Sequence, residues 1–192
     1  MAVIDEGQRL AALESHVWGF WDVHIIELAT WDRGPILERI PRFATYRVTP
    51  RRAGEGWVYV TVGSSLRDSA SQGNEFFVMS PWADDAHSEL LAMVSHLNSF
   101  EAHRLAVGSV LEIGRPWMRD SPMDHLLVSL PYPCGPRLEW APHEAGRARF
   151  LWLLPIHRKE AELVRNGRLQ DFESMLDAAA VNVLDPVRKS VV

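Results

Sequence analysis

The run of five apolar residues from Phe150 to Leu154 constrains the fold more than any other part of this chain. No apolar run is longer, and a membrane-spanning helix would need roughly 20 such residues. Successive side chains of a strand point to opposite faces of its sheet, so a strand that is apolar at every position must be covered on both faces. The sequence therefore predicts a strand from Arg147 to Leu154 at a central, doubly covered position.

The remaining pattern predicts strands and helices along one domain, residues 1–192, without internal repeats or long linkers. Strands are expected at Trp57–Val62, Glu75–Met79 and Leu126–Leu130, with a further strand from Ile36 to Val48 interrupted by Pro41. Helices are expected from about Asp5 to Trp21, from Asp84 to His103, from His157 to Arg165, and around Leu169–Ala179. Gly108–Asp124 is expected to be a long structured loop, and Pro131–Pro136 a rigid turn. The predicted fold is α+β: a mixed, largely antiparallel sheet of five or six strands, with four helices packed on its faces.

Composition and charge exclude several classes of function. The 25 acidic residues outnumber the 20 basic residues, for a net charge of −5, whereas nucleic-acid-binding domains usually carry a basic excess. Cys134 is the only cysteine, so neither an intramolecular disulfide nor a Cys-x-x-Cys site can form. The first residues lack the basic and apolar regions of a signal peptide. We expect a cytoplasmic protein that binds neither nucleic acid nor membrane and has no cofactor.

Nucleophilic catalysis is one alternative function. Ser64 and Ser65 follow a predicted strand, where a nucleophile could sit, but the Gly-x-Ser-x-Gly elbow of the α/β-hydrolases is absent. A serine at the end of a strand more often forms a turn, and a catalytic triad also needs a histidine whose position the sequence does not give. The sequence favours no catalytic residue, and a hydrolase that uses Ser64 or Ser65 with a histidine stays as the alternative.

A small-ligand or metal-binding domain is the other alternative. Asp84, Asp85 and His87 lie close together, and His96 and His103 follow on the same predicted helix. Seven residues of helix rise about 10.5 Å, so His96 and His103 are too far apart to share one ion. A shared zinc ion needs histidines four residues apart, and the two aspartates already suit the positive end of a helix. The spacing therefore favours no metal ligand.

Aromatic residues in two connections favour a protein-binding surface instead. Proline-rich connections on a rigid scaffold tend to gather binding residues, and exposed aromatic side chains are frequent interface anchors. The sequence is equally consistent with Trp117 filling the edge of the core. The predicted partner-binding residues, in the loop 113–124 and the turn 131–136, are Trp117, Met118, Tyr132, Arg115 and Arg119.

Several segments, taken in order, resemble the suppressor-of-fused domain family. The strand Trp57–Val62, continuing through Gly63-Ser64-Ser65, resembles the family's aromatic-rich strand that ends in Thr-x-Gly-x-Ser. The most specific segment, Phe150–Glu160, resembles the family's apolar strand, followed by Pro-Ile, a helix cap and a glutamate three residues later. The other segments are Glu75–Met79 with the helix after it, Val107–Trp117 leading into Leu126–Tyr132, and Asp185–Arg188. The resemblance covers about residues 30–190.

The resemblance implies a compact, single-domain bacterial member that acts as a non-enzymatic, intracellular protein-interaction module. Bacterial relatives are often inferred to be immunity proteins that neutralise toxins, and an acidic surface could complement a basic, nuclease-type toxin. The helix cap that is usually threonine in the family is His157 here, which predicts a helix start weaker by up to ~1 kcal/mol. The length leaves no room for the extra C-terminal domain of the animal regulator, so we do not carry over that protein's signalling partner.

Overall fold

Seven strands form one sheet in the computed structural model, which describes residues 5–29, 31–67, 73–142, 144 and 147–192. The strands are β1 (Ile26–Leu28), β2 (Ala44–Val48), β3 (Trp57–Val62), β4 (Asn74–Ser80), β5 (Val110–Glu112), β6 (His125–Ser129) and β7 (Arg149–Ile156). The helices are α1 (Glu6–Phe20), α2 (Ile36–Arg39), α3 (Ala86–Asn98), α4 (Pro136–Glu139), α5 (Arg158–Arg165) and α6 (Leu169–Ala178). Within the described ranges, no helix is both long enough and apolar enough to span a membrane.

The sheet is mixed, with the strand order β1-β2-β3-β4-β7-β6-β5. Among the described strands, β4 and β7 pair in parallel, with Phe77 opposite Trp152, and the other neighbouring strands pair antiparallel. A parallel pair needs a crossover connection. Here the chain leaves β4 at Ser80, passes through α3, β5, β6 and α4, and returns at Arg149. This arrangement confirms the predicted α+β fold with a mixed, largely antiparallel sheet.

Strand β7 occupies the doubly covered position that its apolar run predicted. It lies between β4 and β6, and the side chains from Phe150 to Leu154 are at most 4% exposed. On one face of the sheet, Phe150, Trp152 and Leu154 pack with residues of α1, α5 and α6. On the other face, Leu151 and Leu153 pack with residues of α3 and of the loop before β6. We call these the α6 face and the α3 face of the sheet.

The structure corrects the expectation of an interrupted strand from Ile36 to Val48. Residues Ile36–Arg39 form the short helix α2, and the strand begins only at Ala44. Ile36 and Ile40 lie four residues apart, so one turn of helix points both side chains in the same direction. Both are buried in one cluster with Ala92 of α3. This helical turn therefore buries both isoleucines against α3.

Some predicted boundaries and counts also differ from the structure. The expected loop Gly108–Asp124 contains the three-residue strand β5, which pairs with β6. The helix expected to reach His103 ends at Asn98 and is followed by a short 3-10 turn. In the described part of the chain the strands number seven and the α-helices six, because β1, β5, α2 and α4 are too short to leave a periodic pattern. Residues 68–72 of the expected loop after Ser64 lie outside the described residues.

A buried ion pair ties the C-terminal segment to the start of α5. Arg188 donates from both terminal nitrogens to both oxygens of Glu160, at 2.7 Å each. Glu160 also accepts hydrogen bonds from the backbone N–H groups of His157, at 2.8 Å, and Val191, at 3.0 Å. Burial raises the pKa of Glu160, but the hydrogen bonds from Arg188 and His157 outweigh it and hold the pKa below its usual value. The glutamate half of the capping arrangement in the family segment is therefore present, with a histidine at the cap position.

Candidate partner-binding surface

A groove with a volume of about 750 Å³ runs along helix α3. Residues of α3 line it, together with Trp31, residues 33–36 and residues 111–113. Met93 and Phe100 present apolar side chains there that are 47% and 37% exposed. Contiguous apolar surface in a concave region is typical of sites that bind a ligand or another protein. We call this region the α3 groove.

Polar contacts hold the walls of the α3 groove in place. Arg39 donates to the hydroxyl and the carbonyl oxygen of Ser99, each at 3.0 Å, and its guanidinium lies 4.3 Å from the centre of the Phe100 ring. At another point on the wall, Arg115 pairs with Glu89 of α3 at 2.6 Å. These contacts restrict the side chains before any partner arrives, which lowers the entropic cost of binding.

Exposed polar residues also line the α3 groove. Exposed Arg33 places its guanidinium 5.6 Å from the centre of the Trp31 ring, and Glu112 and His103 lie farther along the lining. His96, also in the lining, packs edge-on against Phe100 with ring centres 5.2 Å apart. An apolar centre surrounded by polar residues is the usual composition of a protein–protein interface.

Trp117 and Met118, expected as exposed anchors, are buried on the α3 face. Trp117 is 4% exposed, and its ring stacks on His87 with centres 5.4 Å apart. Met118 is 3% exposed, and its sulfur accepts a weak hydrogen bond from the hydroxyl of Ser80 at 3.6 Å. The backbone N–H of Trp117 also donates to the carbonyl of Met123, which folds the loop back on itself. This corrects the expectation of exposure, because Trp117 fills the edge of the core.

Arg115, Arg119 and Tyr132 are exposed, but they do not share one surface. Arg115 lies at the edge of the α3 groove through its pair with Glu89. Tyr132 is 60% exposed and lines a separate cavity on the α6 face. The sheet separates Tyr132 from the loop 113–124, so the predicted loop and turn do not form one continuous site in the described structure.

The serines after β3 are organised around Glu75 and not around a histidine. The hydroxyls of Ser65 and Thr61 donate to the Glu75 carboxylate at 2.7 and 2.5 Å, and the backbone N–H groups of Gly63, Ser64 and Ser65 donate at 3.0 to 3.2 Å. Burial raises the pKa of Glu75, and these hydrogen bonds oppose the rise. In the part of the chain that the structure describes, no histidine is hydrogen-bonded to either serine hydroxyl. Five donors on one buried carboxylate fix the turn.

The histidines and aspartates considered as metal ligands do not form a metal site among the described residues. The described residues contain no group of three or more His, Cys, Asp or Glu side chains that could hold a metal ion. His87 is buried between the rings of Tyr59 and Trp117, with centres 5.1 and 5.4 Å away, and burial lowers its pKa to about 4. His87 is therefore neutral at physiological pH and packs as an aromatic ring. His96 and His103 line the α3 groove instead.

The sequence and the fold match one protein family. The model of the family described as Suppressor of fused protein (SUFU) matches residues 41–189, well over half of the chain. The chain belongs to the suppressor-of-fused family. A crystal structure described as that of a SUFU homolog from Neisseria gonorrhoeae FA 1090 is 35% identical to it, with a TM-score of 0.85 over 97% of this chain and 98% of that chain. A search of curated proteins finds no match.

Two further structures share the suppressor-of-fused fold at low identity. The Sufu–Fu complex structure aligns at 14% identity with a TM-score of 0.69, over 95% of this chain and 91% of that chain. Drosophila Suppressor of Fused aligns at 15% identity with a TM-score of 0.67, over 96% of this chain and 51% of that chain. The chain therefore spans about half the length of the Drosophila protein. At these identities the likeness concerns the fold alone.

The Thr-x-Gly-x-Ser pattern that marked the suppressor-of-fused resemblance has a physical reason in this structure. Thr61 and Ser65 are the two side-chain donors to Glu75. Gly63 between them has φ +102°, and a Cβ atom there would lie 2.6 Å from the carbonyl oxygen of Arg42. Only glycine adopts that conformation without strain and leaves room for the neighbouring backbone.

Sequence reasoning missed the apolar residues that line the α3 groove. The helical spacing of Leu90, Met93, Val94 and Leu97 predicts a single buried stripe, whereas the structure leaves Met93 half exposed. In α3, Leu90, Leu91 and Val94 are buried, whereas Met93 and His96 of the groove lining are more exposed. The missed signal is a second apolar stripe at helical spacing, formed by Met93, Leu97 and Phe100, because one helix face needs only one stripe to cover a sheet.

Proposed function

We propose that this suppressor-of-fused family member is a non-enzymatic protein-interaction module whose partner inserts an apolar segment into the α3 groove. The observation that carries this proposal is the exposure of Met93 and Phe100 in a preorganised groove of about 750 Å³. Holding large apolar side chains in order while they face water is unfavourable for a monomer, whereas at a binding surface a partner covers them. Arg39, which braces Phe100, contributes to that order.

The family supports this type of function. One structure with the same fold is that of a Sufu–Fu complex, in which that relative is bound to another protein. The relative is 14% identical, so its partner is not transferred to this chain. The hypothesis that the partner is a bacterial toxin, and this protein its neutralising immunity protein, stays a prediction that the identity of the bound protein tests.

Affinity capture with groove variants tests the proposal. The tagged protein and its Met93→Asp and Phe100→Asp variants would be used to capture proteins from cells of the source organism, followed by mass spectrometry. Val23→Asp is the matched control, because Val23 is also an exposed apolar residue, at 58%, but lies outside the groove lining. A true partner is captured by the wild type and by the control but not by the groove variants.

The affinity for the captured protein would then be measured. Replacing an interface anchor costs about 2 kcal/mol or more, so each groove variant should bind at least ~30-fold more weakly. The melting temperatures of the variants should stay close to that of the wild type, because both side chains are partly exposed. Equal affinity in the wild type and in both groove variants would contradict this placement of the interface.

The absence of catalysis is a separate part of the proposal. Ser65 is engaged with Glu75, and the hydroxyl of Ser64 is buried. We expect ester, phosphoester and peptide substrates to be hydrolysed no faster than in buffer alone. Hydrolysis that disappears in Ser64→Ala or Ser65→Ala, with the fold intact, would restore the hydrolase alternative.

A further inference from the structure

The cavity beside Tyr132 has features that the proposed function does not use. It has a volume of about 480 Å³ and is lined by residues of β6, β7 and α6, with Val181 and Val183. Leu154 and Phe172 contribute to its mainly apolar wall. Small-molecule sites in proteins commonly have volumes of roughly 300–1,000 Å³ and apolar walls with a few polar groups. We call this region the α6 cavity.

Trp152 lines the α6 cavity and carries an unsatisfied hydrogen-bond donor. Its side chain points to the same face of β7 as that of Leu154, two residues later, and both line the cavity. Trp152 is 4% exposed, and its indole N–H has no hydrogen-bond partner among the residues that the structure describes. Leaving a buried donor unpaired is unfavourable, so a ligand with a hydrogen-bond acceptor would be stabilised there.

The cavity also carries negative charge, and no basic residue is among its described lining residues. Glu173 and Asp177 lie four residues apart on one side of α6, and both line the cavity. Neither forms an ion pair within the described ranges, whereas the neighbouring Glu139 is paired with Arg149 at 2.7 Å. Burial raises the pKa of Glu173 and Asp177 raises it further, while a hydrogen bond with Tyr132 opposes the rise. Asp177 is exposed and Glu173 is half-buried, and Tyr132 and Pro133 of the lining are exposed as well, so these residues mark the mouth of the cavity.

We propose that the α6 cavity binds a small organic cation, an amine or amidine on an apolar body that also carries a hydrogen-bond acceptor. The cation pairs with Glu173 and Asp177, the apolar body covers Leu154 and Phe172, and the acceptor meets the indole N–H of Trp152. A lysine side chain of a protein partner has no acceptor on its stem and would leave most of the apolar wall uncovered. The cavity lies on the opposite face of the sheet from the α3 groove, so this inference does not rest on the proposed function.

Three small probes separate the parts of this chemistry. Tyramine has an ammonium group, an aromatic ring and a phenolic oxygen; phenethylamine lacks the oxygen; 4-(2-hydroxyethyl)phenol lacks the charge. Binding to the full chain would be followed by the indole N–H signals in nitrogen–proton correlation spectra, with the Trp152 signal assigned by its loss in Trp152→Phe. We expect tyramine to shift the Trp152 signal. Phenethylamine should shift it less, and the neutral phenol should bind at least about tenfold more weakly, because a charge-assisted bond is lost.

Variants at the mouth test the source of the selectivity. The double variant Glu173→Gln and Asp177→Asn should weaken tyramine binding at least about tenfold and leave the neutral phenol unaffected. Asp171→Asn is the matched control, because Asp171 is also on α6 but is exposed and paired with Arg168. The control should bind tyramine as the wild type does.

Several results would overturn the proposal. They are an unshifted Trp152 signal at 10 mM tyramine, equal affinity for tyramine and the neutral phenol, and unchanged tyramine binding in the double variant. A fourth is tighter binding of Nα-acetyl-lysine methylamide than of tyramine, which would assign the cavity to a lysine of a protein partner. The loss of partner capture in groove variants would leave all these outcomes unaffected, so the two proposals fail separately.

Discussion

Glu160 has no exposed surface and still accepts two hydrogen bonds from a guanidinium and two from backbone N–H groups. Glu75 is equally buried but takes its five hydrogen bonds from hydroxyls and backbone, without a cation. Glu75 fixes the turn that ends the segment Trp57–Ser65, and Glu160 fixes the helix start in the segment Phe150–Glu160; both segments carry the family resemblance. Removing one partner of such a buried group leaves the rest of the arrangement uncompensated, which costs more than the arrangement itself contributes.

Glu160→Gln should destabilise the protein by about 3–5 kcal/mol at pH 7, because it leaves the Arg188 guanidinium buried without a counter-charge. The pKa of Glu160 is lowered in the folded state, so the pair's contribution is fully present above the usual glutamate value of 4.5 and is lost as pH falls through the folded pKa. The stability difference between wild type and variant should therefore shrink from pH 7 to pH 3 in urea unfolding. Glu162→Gln, at an exposed position of α5, should show neither effect. A difference that stays constant over this range would contradict the ion-pair account.

Trp117→Ala should lower stability by about 3–5 kcal/mol, since it removes a large buried ring and opens a cavity beside His87. For a chain of this length that corresponds to a fall in melting temperature of about 10 °C. Tyr132→Ala, at an exposed position, should change the melting temperature by only a few degrees. If scanning calorimetry instead gave both variants the melting temperature of the wild type, Trp117 would not be a core residue.

Strand β7 is the element that organises the others. It is bonded along one edge to β4 and along the other to β6, and both of its faces are covered. Strands β1 and β5 each have one neighbour and three residues. Local opening of an edge strand exposes little apolar surface, whereas opening of β7 requires both layers to separate.

Amide hydrogen exchange should reflect this difference between elements. The amides of β7 should exchange only through global unfolding and be among the slowest in the chain, and those of β1 and β5 should exchange at least about 100-fold faster. Mass spectrometry of peptides covering residues 149–156 and 110–112 would compare the exchange rates of β7 and β5. Comparable exchange rates in the two peptides would show that β7 is not the most stable part of the sheet.

The sequence predicted the strands whose two faces are both covered by apolar residues. It missed features that depend on residues far away in the sequence. β3 and β7 were predictable because a strand covered on both faces must be apolar at nearly every position. The environment of Trp117 was not, because it depends on His87, about thirty residues away. The α3 groove was also missed, since the exposure of Met93 depends on how residues 31–36 and 111–113 pass over α3.

The chain cannot be divided between β4 and β7 into two units that are independent of each other. The α6 face combines Leu13 and Val60 from the first half with Phe150 and Phe172 from the second half in one cluster. The parallel pair of β4 and β7 joins the same two halves through the backbone. The tertiary structure therefore depends on contacts between residues far apart in sequence.

A fragment of residues 1–108 should consequently fail to fold alone. It would keep β1 to β4 and α3, but its two faces would lose the apolar side chains of β6 and β7. Proton–nitrogen spectra of the fragment should show the narrow dispersion of an unfolded chain, and heating should give no cooperative transition. A dispersed spectrum with a cooperative transition would show that the first half is a domain.

The parallel pairing also sets an order of events during synthesis. On the ribosome, β4 is completed at Ser80 and waits for its partner until the chain has grown beyond Arg149. At roughly 5–20 residues per second this interval lasts several seconds. Throughout it, one edge of an apolar strand is open to other nascent chains, a situation that favours aggregation. The yield of soluble protein in cells should therefore respond more to chaperone supply and growth temperature than to the stability of the folded protein. Measurements of the soluble fraction with and without added chaperones would test this.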